Sequence, residues 1–342
     1  METPITIEIL SVLNQLFFAI AGAGALWGAV FSHKLRKAGT GEEVATLFSL
    51  VKSLLFLVSG FVILGGIVWS LKYFILPEYL FAHEGIVILP NLLDAGRGVL
   101  AGAPIFVLIL IMSLWSFLNF RKYGAKYLPR AYVFFVTQFV LIFIIMSISF
   151  KTNALDRTQF FFAGHSFHSI FTVGTVIILD FLFFLSHHIP DFRRNLYSIF
   201  PTMSKVIWLG LGFDFLSVWL IFHEGFALHD KFYFMQTLIA IIILNGAILS
   251  GPLTDIFKQL MKKEGAVSDM PHKIHLIAGI SGCISISSWL SITVIDGFSR
   301  VPFSYSTMMF AYLAIILSAC LVHFVFLTKG TGGKIAKKIQ SL

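Results

Sequence analysis

Nine stretches of about twenty predominantly apolar residues recur along this chain, at roughly 8–31, 47–71, 98–118, 131–150, 164–186, 205–222, 232–251, 274–295 and 305–327. A helix rises about 1.5 Å per residue, so each stretch spans, or nearly spans, a hydrocarbon layer about 30 Å thick. Inside lipid the backbone N–H and C=O groups must pair within the segment itself, and a helix does this. The expected fold is therefore all-α, a polytopic bundle of nine transmembrane helices in the cell membrane. Composition agrees: the chain is 57% hydrophobic and 12% charged, which excludes an ordinary soluble domain.

The basic residues fall on alternate connections. HKLRK (33–37), RKYGAKYLPR (121–130), DFRRN (191–195) with Lys205, FKQLMKKEG (257–265) with Lys273, the tail KGTGGKIAKK (329–338) and Lys52 together hold 19 of the 25 Lys and Arg. The opposite side holds Lys72, Arg97, Lys151, Arg157, Lys231 and Arg300. Because Lys and Arg are retained on the cytoplasmic side, this places the N-terminus outside and the C-terminus inside. Split among short loops in this way, the formal charge of +8 reports topology and gives no reason to expect a nucleic-acid partner. The N-terminal segment carries Glu2 and Glu8 in place of a basic n-region, so the first span is read as retained. Cys283 and Cys320 lie inside apolar segments without a CxxC pattern and are read as two small buried hydrophobes.

Most connections are short, which makes successive helices antiparallel neighbours. The long outer one, residues 72–97, carries Tyr73, Phe74, Tyr79 and Phe81, aromatic residues suited to headgroup depth. Spans one to four resemble spans five to eight in loop charge and in the lysine near the start of the second member, LFSLVKSLLFLVSG against FPTMSKVIWLGLGF. The expected organisation is a four-helix block at 1–150, a second at 151–300 carrying most of the His and Asp, and a ninth helix with a basic tail at 301–342. Asn14, Gln15, Gln138 and Asn245 are expected to make interhelical hydrogen bonds.

HSFHSIFTVG (165–174), LGLGF (209–213), LIAIIILNGAIL (238–249) and SSWLS (287–291) give the second block a resemblance to bacterial multi-pass proteins of the copper-resistance D and related uncharacterised four-helix type. That resemblance implies a four-helix membrane unit, and in some relatives copper handling or b-type haem.

The topology sorts the histidines by side. His83, His165, His168, His223 and His229 lie toward the outside, and His33, His187, His188, His272, His275 and His323 toward the inside. His165 with His168, and His272 with His275, are three residues apart and share a helical face, so each pair is a candidate metal site. Two imidazoles from different helices would also clamp a haem b iron. His168 with His223 or His229 is the outer candidate, and His275 with His323 or His187 the inner one. Such a protein would carry electrons between a quinone or a partner protein and an acceptor. Copper is the alternative cofactor, although the methionines form no MxxM run.

Two carboxylates point to a different class. Asp180 and Asp214 lie at similar depth in spans five and six, where a charged Asp costs at least about 2.5–3.5 kcal/mol. They mark a proton or cation path, and His187, seven residues beyond Asp180, shares its face. A non-catalytic subunit of a larger membrane complex is the third reading. On each of the first two, the fifth span lines the interior of the second block.

Overall fold

A computed structural model describes residues 5–38, 41–83, 104–116, 118–119, 128–149, 170–188, 199–213, 230–256, 272–296, 298 and 301–328. Among these residues there is no strand, and nine helices lie one on each of the nine apolar stretches. In chain order they are α1 (Ile5–Leu35), α2 (Gly41–His83), α3 (Pro104–Ser116), α4 (Leu128–Ser149), α5 (Ile170–His188), α6 (Ile199–Phe213), α7 (Asp230–Ile256), α8 (His272–Asp296) and α9 (Tyr305–Thr328).

Among the described residues, five helices contain a segment long and apolar enough to cross a membrane: Ile9–Leu35, Val44–Leu71, Asp230–Ile256, Leu276–Ile295 and Tyr305–Val325. The other four are apolar over shorter lengths. Large apolar side chains project outward, with Leu244, Phe310, Leu317 and Leu321 each about two-thirds exposed or more. A surface of that kind is compatible with lipid and unsuited to water. α2 is longer than its apolar stretch: the helix continues through 72–83, so the first part of the expected outer connection is helical. Pro77 stands inside this extension without ending it.

The helices group into two compact units. The first contains α1–α4, α5 as far as Thr175 and α6 from Leu209. The second contains α5 from Val176, α6 as far as Trp208, and α7–α9. The boundary between these units falls within α5.

In the first unit α1 is central, packing on α2, α4 and the start of α5. Trp27, Phe18, Phe31, Leu47, Leu50, Leu54, Leu55 and Phe135 are fully buried there. The closest approach is at Gly174, where an added Cβ would strike the Ala19 carbonyl oxygen and lie 2.7 Å from the Ala23 Cβ. Only glycine fits, because the obstacle at Ala19 is backbone. Gln138 of α4 donates from Nε2 to the Ile109 carbonyl at 3.1 Å and to Ser113 Oγ at 3.3 Å, tying α4 to α3 as expected.

The second unit is held by α7, α8 and α9 packing on one another. Asn245 donates from Nδ2 to the Ser281 carbonyl at 2.8 Å, again as expected. Ser288 Oγ and Tyr312 OH are 2.7 Å apart, and Thr237 Oγ1 and Tyr305 OH 3.0 Å. The start of α9 is capped twice. Asp230 Oδ2 accepts from the Tyr305 N–H at 3.2 Å, and Ser304 Oγ accepts from the Thr307 N–H at 3.4 Å.

Two helices contain one π-helical turn, at Ile170–Gly174 and Leu249–Leu253. A wider turn misaligns the backbone ladder, and hydroxyl side chains answer it in both places. Thr175 Oγ1 donates to the Ile170 carbonyl at 3.3 Å and accepts from the Trp27 indole at 3.2 Å. Thr254 Oγ1 donates to the Leu249 carbonyl at 2.8 Å. Beside it Ser250 Oγ donates to the Gly246 carbonyl at 2.7 Å and accepts from the Trp208 indole at 3.3 Å. Pro252, which has no N–H to offer, gives the second π turn its local cause.

Candidate functional site in the second unit

Asp180 lies one turn and a half beyond the π turn of α5, on the part of the helix that belongs to the second unit. Its Oδ2 is closed off from solvent and has no hydrogen-bond partner among the described residues. Buried carboxylate oxygens are ordinarily satisfied by donors, so an orphan within an apolar helix demands an explanation. The same carboxyl is near enough to Cys283 of α8 to act on it electrostatically.

Cys283 in turn neighbours Cys320 of α9. Both cysteines are free, Cys283 buried as expected and Cys320 half-buried, and they are the chain's only two thiols. A sequence signal for their proximity exists. The two cysteines stand at nearly equal distances from the short connection between α8 and α9, and in an antiparallel hairpin equidistant residues face each other.

One turn from Cys320 on the same helix, His323 packs on α8 at Gly279. A methyl group added at Gly279 would collide with the imidazole Nε2 and lie 2.9 Å from its Cδ2 and 3.1 Å from its Cε1. The ring thus occupies the space the missing Cβ leaves. Nε2, a nitrogen that would ligate a haem iron, lies against α8 at Gly279.

The other expected site residues are placed less fully. His187 and His188 stand in the last turn of α5, and His272 and His275 in the first turn of α8; their side chains lie outside the described residues. So do His165, His168, His223, His229 and Asp214 altogether. His33 is exposed at the end of α1, its ring 6.1 Å from that of Tyr132. Among the described residues, no three His, Cys, Asp or Glu side chains converge as a metal site. Of the polar residues expected to bond between helices, Asn14 keeps a buried Oδ1 without a partner among the described residues.

No protein-family model, curated protein or solved structure matches this chain. The likeness to the copper-resistance D type rests on the short strings quoted above alone.

Proposed function

We propose that this chain is a nine-span cell-membrane protein, N-terminus outside and C-terminus inside, that passes protons or a small cation through its second unit by way of Asp180. The observation that carries the reading is the enclosed, partnerless Oδ2 of Asp180. In an apolar helix an ionised oxygen without donors is strongly disfavoured, and binding a proton or a cation removes the penalty. Such a group is a station that must be loaded to be stable. It is unloaded only when water or another acceptor reaches it. His187, seven residues further along α5, lies about 10 Å away in axial rise and on the same face, which suits it to take the proton toward the inner surface.

The test is flux. Purified protein in liposomes, with a pH-sensitive dye inside and an imposed membrane potential, should acidify or alkalinise the lumen. Asp180→Asn should lower that rate at least tenfold, while Asp180→Glu keeps part of it. Equal rates for the native chain and Asp180→Asn would remove Asp180 from the pathway. Electron transfer through haem b is the second proposal for the inner end, and it requires the His323 ring to leave Gly279. A Soret band in protein produced with haem supplied would favour it over the proton route.

A further inference from the structure

Neither proposal uses the meeting of Cys283 and Cys320. Their proximity is supported by the register of α8 against α9. Gly279 faces His323 near one end of the pair, and Ser288 bonds Tyr312 further along. Moving from Gly279 toward Ser288 on α8 while moving from His323 toward Tyr312 on α9 brings Cys283 opposite Cys320. The alignment of the two helices thus sets the two thiols at the same level on neighbouring helices. Gly279 of α8 carries no side chain and lets α9 approach closely there.

The surroundings decide which reagents reach these sulfurs. Cys283 is buried and Cys320 is half-buried. On either side of Cys320, Leu317 and Leu321 are 70% and 66% exposed on the outer face of an apolar helix. Access to the pair therefore runs through lipid. Water-soluble disulfides and peroxides partition poorly there, whereas a lipophilic two-electron acceptor is at home.

We propose that Cys283 and Cys320 form a dithiol–disulfide couple that exchanges two electrons and two protons with a quinone dissolved in the bilayer. On oxidation the two S–H bonds break and one S–S bond forms. Both protons and both electrons pass to the quinone, which leaves as the hydroquinone. The reverse reaction restores the thiols. Oxidation also fastens α8 covalently to α9 beside His323.

The chain contains only these two cysteines, so thiol counting is unambiguous. The full chain, reduced and reconstituted in phosphatidylcholine liposomes without oxygen, is treated with a short-chain benzoquinone substituted at every ring position, so that it cannot add to a thiol. Maleimide-reactive thiols should fall from two per chain to none, with one hydroquinone formed per chain. A non-reducing digest should contain the Cys283 and Cys320 peptides joined, and dithiothreitol should release them. Cys283→Ser and Cys320→Ser should each abolish hydroquinone formation while eluting as the native chain does in detergent. Glutathione disulfide should react at least tenfold more slowly than the quinone. The proposal is overturned if both thiols survive the quinone, if the disulfide joins two chains instead of two helices, or if glutathione disulfide reacts as fast.

Discussion

At Gly279 the structure admits no side chain, because the His323 imidazole already fills the position. Gly279→Ala should therefore destabilise the α8–α9 pair by about 1–3 kcal/mol, the usual cost of overpacking. Thermal unfolding in detergent would measure this. Adding His323→Ala should recover most of the loss, and two losses that simply add would show that the residues do not touch. The interhelical amides give a second check. Asn245→Leu removes the bond to the Ser281 carbonyl and should cost about 0.6–1.7 kcal/mol, the range found for hydrogen bonds between membrane helices. Gln138 and Asn245 were legible in the sequence, since an amide inside an apolar span has few alternatives to a neighbouring helix. The relation of His323 to Gly279 was not, because a glycine in a membrane helix says that something comes close without saying what.

At the scale of single elements, the apolar stretches marked the nine helices among the described residues, but neither the length of α2 nor the π turns could be read from them. Both π turns are anchored by a hydroxyl that closes a backbone carbonyl within the same helix. Thr175→Val removes that closure in α5 and leaves the Trp27 indole N–H buried without its acceptor. The expected cost is about 1–3 kcal/mol, seen as a lower unfolding temperature. Thr175→Ser keeps the hydroxyl and should recover most of it; a Ser variant as weak as the Val variant would assign the effect to packing of the methyl group instead. Thr175 looked unremarkable in the sequence because hydroxyl residues are common in membrane helices. Its importance comes from the wider turn before it and from Trp27, which is distant in the chain.

At the scale of the whole molecule, the prediction concerns sidedness. With 19 of 25 basic residues on one set of connections, a fluorescent protein that matures only in the cytoplasm should fluoresce when fused after Leu342. Adding one further span before the reporter should extinguish it. Fluorescence only with the added span would reverse the orientation and would exchange the inner and outer assignments of every histidine. The candidate site was half visible at this scale. Asp180 stood out because a carboxylate in an apolar run is costly wherever it points. The thiol pair beside it did not stand out by composition, because the two cysteines come from helices that look equally apolar on every side; only counting outward from the α8–α9 connection brings them level.

The sequence by itself determined that the chain is helical and suited to a membrane, because hydrocarbon forces backbone polar groups to pair locally and the bilayer thickness sets the length of each segment. The tertiary structure alone decided which side chains meet. Lipid is as apolar as leucine, so burial does not choose which face of such a helix turns inward; close packing of small residues and a few hydrogen bonds do. For that reason Gly174 against Ala19, Trp27 on Thr175, and His323 against Gly279 emerge only from the packed helices.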